Sequence, residues 1–217
     1  MKISLNQHVD QNLLPPAQFL SGHHTITRSD KKIVLAQVKQ TTIKDSQEIQ
    51  KWYEQDTSDQ PTYADDPTWK QWWLNAINQT QESLHTYKLT ITDEFGKELL
   101  LGVLALKVIE DWNDRHIPTL YINGLRINPN IMPSEHEKRR FHGVGAALIT
   151  FAIIESVKKD LSGITLNSSL GVEIFYRNLG LHESQAHDGK RSYFTLKGTS
   201  RAKYIEQQYQ KSLEYLG

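Results

Sequence analysis

Two glycines stand where an apolar helix begins, in the stretch RRFHGVGAALI, Arg139 to Ile149. From there Val144, Ala147, Leu148, Phe151, Ile154 and Leu161 fall on one helical stripe, so Gly143 and Gly145 occupy its first turn. Glycine costs roughly 1 kcal/mol against alanine inside a helix. Two at a helix start therefore point to a bulky group that comes close to the backbone. The first turn of a helix also carries N–H groups without partners and a partial positive charge, and both attract anions. The stretch reads as a phosphate cradle, with a tight turn that holds no ligand as the plain alternative.

Which phosphate such a turn suits depends on its flanks. A P-loop requires Gly-Lys-Ser/Thr, and here Gly145 is followed by Ala146 and Ala147. A dinucleotide fingerprint requires a third glycine where Leu148 stands, and a strand directly before the turn. The preceding strand ends near Ile127, about fifteen residues earlier. Both devices fit poorly. The pyrophosphate turn of coenzyme A binders has the pattern Gln/Arg-x-x-Gly-x-Gly/Ala, and Arg140 to Gly145 matches it at each defined position.

The remaining elements follow from local patterns. Residues 1–30, with Pro15 and Pro16, read as an irregular arm. Lys32–Val38 is a β-branched run and residues 43–56 are helical. Asp66 and Pro67 open a second helix, DPTWKQWWLNAI. Residues 85–92 and 98–109 form a hairpin around Asp93–Gly96, and residues 120–127 form another strand. After the glycine helix come a strand (163–169), a short helix ending at Gly180, and a hairpin turning at Asp188–Gly189. From Ser200 an amphipathic helix carries Ala202, Ile205, Tyr209 and Leu216 on one face. This order predicts an α+β fold, a mixed sheet with helices on its faces. It divides into an arm (1–30), a main domain (31–197) and a C-terminal helix (198–217). That helix reads as docked on the domain, with a homodimer seam as its other use.

Here the sequence resembles the GNAT superfamily of N-acetyltransferases. Leu125-Arg126-Ile127-Asn128-Pro129 has the form of that family's Leu-x-Val-x-Pro strand, and Arg140 to Gly145 that of its glycine turn. Tyr176 to Leu181 has the form of its Tyr-x-x-x-Gly-Phe, with leucine for phenylalanine. Gly102 sits where the family often has a glycine in its third strand. The likeness spans residues 31–197 and is strongest over 120–181.

The resemblance implies a mostly antiparallel central sheet with helices on both faces, and acetyl-CoA as cosubstrate. Backbone N–H groups of His142, Gly143, Val144, Gly145 and Ala146 would hold the pyrophosphate, with Arg140 helping by charge. The main chain at Ile127 would bond the acetyl carbonyl and pantetheine arm where strands splay apart. Tyr176 would lie near the thioester sulfur. Its phenol, with an ordinary pKa near 10, would act as general acid toward the departing thiolate. Its plain alternative is a core aromatic.

The chain also departs from the family. The asparagine often found seven residues before the tyrosine is replaced by Ser169, with Asn167 two residues earlier. Asn123 stands where some members hold a glutamate base, and an amide cannot take a proton. The base lies elsewhere, or the amine arrives already neutral.

Balanced charge, with 25 basic and 25 acidic residues, argues against a dedicated nucleic-acid or polybasic membrane binder. The absence of cysteine excludes a cysteine acyl-enzyme, so direct attack by a primary amine in a ternary complex is expected. No window reads as a signal peptide or membrane span, which predicts a cytoplasmic protein. No metal site is expected: His23 and His24 are adjacent, and Glu135-His136-Glu137 lacks a second histidine. The tryptophans Trp69, Trp72 and Trp73 read as packing before substrate wall. Asp56, Asp59, Asp65 and Asp66 are either a solvated loop or a lure for a cationic amine. The rival to the enzyme is a non-catalytic acyl-CoA-binding module of the same fold.

Overall fold

The computed structural model describes residues 16–30, 32–55, 67–77, 83–110, 118–131, 141–168, 171–184 and 192–214. After a short helix α1 (Pro16–Leu20) come strands β1 (His23–Arg28) and β2 (Ile33–Gln40), then helices α2 (Ile43–Gln55) and α3 (Pro67–Ile77). Strands β3 (Leu84–Thr92), β4 (Glu98–Glu110) and β5 (Pro118–Ile127) form a meander, closed by a 3-10 turn at Pro129–Ile131. A two-residue strand β6 (Phe141–His142) leads into helix α4 (Val144–Lys158). Strand β7 (Gly163–Asn167), helix α5 (Glu173–Asn178), strands β8 (His182–Ser184) and β9 (Tyr193–Lys197) and helix α6 (Ser200–Glu214) complete the chain.

The nine strands among the described residues join one sheet in the order β6-β1-β2-β3-β4-β5-β7-β9-β8. Among the described strands only β5 and β7 run parallel, and every other neighbouring pair is antiparallel. Helices cover both faces. On one, α4 and α6 enclose the larger core, with Leu148, Ile149, Ile153, Ile205 and Tyr209 at 0% exposure. On the other, Ile49 and Trp52 of α2 and Trp73 and Ile77 of α3 pack on Leu100, Val103 and Ala105 of β4. The expected α+β fold and mostly antiparallel sheet are what the chain adopts.

The N-terminal segment differs from the expectation of an irregular arm. Residues 23–28 are a strand, paired with β2 on one side and with β6 on the other. HHTITR is too short and too polar to announce itself. Its partners decide it, since Ile26 (2% exposed) and His24 (3%) point into the core. The strand predicted over 163–169 stops at Asn167. On α6, Tyr204, Ile205 and Tyr209 are buried, with Tyr209 against Phe19 of α1 at 5.4 Å between ring centres. The described apolar residues Tyr204, Ile205 and Tyr209 of that helix are covered within the chain. The turn at 188–189, the N-cap Asp66 and residues 1–15 lie outside the described residues.

Candidate functional site

Helix α4 begins on a strained residue for a physical reason. Gly143, its N-cap, has φ 86° and ψ −2°, the left-handed region that favours glycine. No side chain caps the helix, so the N–H groups of Val144, Gly145 and Ala146 have no intrahelical partner; the first helical bond runs from Ala147 N–H to Gly143 O, 2.9 Å. A Cβ on Gly143 would meet nothing within 4 Å, so the space beside the turn is open. The turn is held from behind by the ladder in which Thr27 faces His142 and Arg28 faces Phe141.

Gly145 is glycine for a different reason. A Cβ there would lie 3.1 Å from Phe175 Cζ and 3.6 Å from Ile127 Cδ1. The close neighbour on its side-chain face is an aromatic of α5, not open space for a ligand. A Cβ at Gly145 would thus meet packed protein, whereas one at Gly143 would meet open space. Gly102 serves packing, as a Cβ would come within 3.1 Å of Leu148 and 3.2 Å of Val144. Its absence lets the first turns of α4 sit down on β4.

Strands β5 and β7 part beside this turn. Their parallel ladder covers Leu120–Ile122 against Ile164–Leu166 and then stops. From Gly124 to Ile127, β5 pairs with β4 alone, leaving its other edge without a strand. The parting starts at a β-bulge: Ala105 faces Gly124 and Leu106 faces Ile122, so Asn123 is the extra residue. Beyond the end of β7's pairing with β5, Asn167 Oδ1 and Ser168 Oγ are buried without a hydrogen-bond partner among the described residues. Unpaired buried polar atoms of this kind cost about 1–3 kcal/mol each unless something satisfies them.

Tyr176 is 8% exposed, between Phe175 at 5.1 Å and Phe194 at 5.2 Å, centre to centre. Burial pushes its phenol up to about 12, so it stays protonated across the useful pH range. Trp72 and Trp73 meet edge to face at 5.0 Å and press on β5: a Cβ on Gly124 would lie 3.0 Å from each. Trp73 is 2% exposed and serves the core, while Trp72 is half-buried over the strand.

In the fold Ile127 ends β5, His142 lies on β6, Gly143 to Ala146 open α4, Asn167 ends β7 and Tyr176 sits on α5. Trp69 lies on α3, and Arg140, Ser169, the triplet 135–137 and Asp56, Asp59, Asp65 and Asp66 lie outside the described residues. Sequence reasoning missed Phe175, the β1–β6 ladder and the bulge. Only Phe175 left a trace, as the aromatic directly before the motif tyrosine. Among the described residues no cluster of three His, Asp or Glu could hold a metal, and no helix is long and apolar enough to cross a membrane.

No family model matches the chain, and no curated protein matches it by sequence. Solved structures do. Apo FdhC, a nucleotide-linked sugar GNAT, is 12% identical, with a TM-score of 0.59 over 90% of this chain and 98% of its own. AtaTR bound with AcCoA is 16% identical, with a TM-score of 0.53 over 80% and 98%. A putative GNAT-family acetyltransferase from Desulfovibrio desulfuricans is 12% identical, with a TM-score of 0.51 over 75% and 98%. A KacTA–DNA complex gives 0.51 at 18% identity over 81% and 99%. The last is a protein of this fold in complex with DNA, so balanced charge does not support setting nucleic acid aside. The fold of this chain is the GNAT fold.

Proposed function

From that fold as premise, we propose that the protein is an acetyl-CoA-dependent N-acetyltransferase acting on a primary amine, its transferase unit formed by β1–β9 with α6 packed on it. One observation carries the reading: the uncapped α4 N-terminus on left-handed Gly143 opens beside the edge where β5 leaves β7. The residues fit the cosubstrate. Free N–H groups suit a pyrophosphate, and the bare edge of β5 near Ile127 and the orphaned Asn167 Oδ1 suit the amides of a pantetheine arm. Acetyl-CoA supplies the activated acyl thioester. On the protein side, Val144, Gly145 and Ala146 bind charge and Ile127 orients through its main chain. Trp72 and Trp73 limit water on the opposite side of β5, and Tyr176 holds a proton toward the sulfur. Structural neighbours described as GNAT proteins and as bound with AcCoA support this reading.

Titration calorimetry tests it. Acetyl-CoA should bind with micromolar affinity, and an acetyl thioester of pantetheine, which lacks the pyrophosphate, should bind at least ten times more weakly. Equal affinity for the two would remove the cradle. Asn123 favours the second reading, a module that binds acyl-CoA without turnover. Acetyl transfer to any member of an amine panel excludes it.

A further inference from the structure

Given the transferase reading above, the ring of Phe175 ties the two ends of the acetyl-CoA site together. Acetyl-CoA has a fixed covalent length. With its pyrophosphate held at the Gly143 turn, its sulfur falls within a limited region, and a donor serves that sulfur only when the protein holds it at the matching distance from the turn. The turn opens α4, whereas Tyr176 stands on α5, a helix of six residues. So short a helix has no stability of its own and takes its place from what it packs against. Tyr176 is its one buried residue and Phe175 is half-buried, while Val172 and Ile174 beside them are 40% and 64% exposed. The two aromatics therefore decide where α5 sits.

Tyr176 makes the link to the sheet, leaning on Phe194 of β9 with 5.2 Å between ring centres and 39° between planes. Phe175 makes the link to α4. The Cβ that Gly145 lacks would lie 3.1 Å from Phe175 Cζ, 3.7 Å from its Cε1 and 3.6 Å from Ile127 Cδ1. The tip of the ring thus lies against the first turn of α4, where the side chain that ends β5 also arrives. Neighbouring residues on a helix point about 100° apart, so Phe175 reaches α4 while Tyr176 turns into the core. The two rings brace each other edge to face, 5.1 Å between centres and 66° between planes. Contact this close leaves little slack. A side chain at 145 would push the ring away, and a smaller group at 175 would leave a void for α5 to settle into.

We infer that Phe175 is a positioning residue: its ring sets the distance from the phosphate-binding turn to the hydroxyl of Tyr176, and so aligns that hydroxyl with the departing sulfur. In the step it serves, the amine lone pair forms the C–N bond and the C–S bond breaks, its electrons leaving on sulfur. Tyr176 donates a hydrogen bond to that sulfur, and the proton shed by nitrogen ends on the released thiol. Phe175 takes no part in the bond changes. It acts through Tyr176, so its loss cannot cost more than the loss of the hydroxyl itself. A misplacement of about 1 Å in a reacting site costs up to roughly 100-fold in rate, which is also the scale expected for the hydroxyl.

A double-mutant cycle on the full chain tests this. Thiol release from acetyl-CoA is measured with a dipeptide amide, glucosamine, Nα-acetyl-lysine amide and a diamine. The best of the four carries the cycle of Phe175→Leu, Tyr176→Phe and both together, with acetyl-CoA affinity by calorimetry and a thermal melt for each variant. Phe175→Leu should lower kcat roughly 10- to 100-fold and leave acetyl-CoA affinity within about threefold. In the Tyr176→Phe background it should cost less than about twofold more, because the group it positions is already gone. Phe175→Met, which keeps more of the ring's volume, takes its place if the leucine variant does not fold at the assay temperature. Losses that multiply, a loss larger than that of Tyr176→Phe, or a parent-like kcat would each overturn the inference. Acetyl transfer by the parent would persist in those cases, and the transferase reading with it. A parent that binds no acetyl-CoA and acetylates none of the four amines ends that reading, and this inference falls with it.

Discussion

Replacing Tyr176 with phenylalanine removes one oxygen and leaves the packing intact. The ring contacts to Phe175 at 5.1 Å and Phe194 at 5.2 Å persist, and no described residue bonds the hydroxyl. Stability should therefore change by less than about 1 kcal/mol. The catalytic effect follows from the phenol's acidity. Burial pushes it up to about 12, whereas a thiol titrates near 8.5. Complete proton transfer from this phenol to a departing thiolate is uphill by roughly 5 kcal/mol. In the proposed transferase Tyr176 would thus act as a hydrogen-bond donor to sulfur more than as a full proton donor. A hydrogen bond to a charged group contributes about 1.5–3 kcal/mol, which corresponds to roughly 10- to 150-fold in rate. That lies at or below the lower end of the ~10²–10⁴ expected of a positioned general acid. The assay is thiol release with the best amine of the panel, with acetyl-CoA affinity by calorimetry and a thermal melt alongside. A kcat within about threefold of the parent, with affinity unchanged, would show that the ring only packs. The parent should also show no falling limb from this group at alkaline pH short of about 12.

Three further perturbations test the surroundings. Gly145→Ala places a methyl 3.1 Å from Phe175 Cζ and should lower both stability and acetyl-CoA affinity; adding Phe175→Leu should restore the melt, and calorimetry then reports whether affinity returns with it. His24 is buried without a partner for Nε2, and desolvation, followed by the charge of His23, lowers it to about 3. The unfolded chain binds that proton from about pH 6.5 downward and the folded chain does not, so stability should fall as pH drops from 6.5 toward 3. The contribution is roughly 2 kcal/mol by pH 5, and denaturant titrations at pH 7 and pH 5 should show it shrink in His24→Leu. Lys88 is held by Asp45 at 2.8 Å and Glu98 at 2.7 Å. Asp45→Ala, which leaves a buried ammonium half-served, should cost roughly 1–3 kcal/mol in a denaturant melt, and Lys88→Met should cost less.

Much of this protein was legible residue by residue, because the signals were local. The alternation of residues 85–92, the stripe from Val144 to Ile154 and the amphipathic tail each carry their own period, and each became the expected element. Gly143 was legible for the same reason, since a left-handed residue at a helix start has to be found within one turn of chain. What stayed hidden depends on partners distant in sequence. The strand identity of HHTITR comes from β2 and from Phe141–His142, more than a hundred residues later. Gly145 and Gly124 look alike in the sequence, yet one makes room for Phe175 and the other for two tryptophans. The bulge at Asn123 is a matter of register between β4 and β5, under twenty residues apart, and the parting of β5 from β7 one between strands some forty residues apart. A periodic pattern fixes which face of a strand is buried. Which neighbour a strand keeps, and at which residue it lets go, is settled only when the whole sheet closes around its two cores, because the energy of that choice lies in contacts no local segment contains.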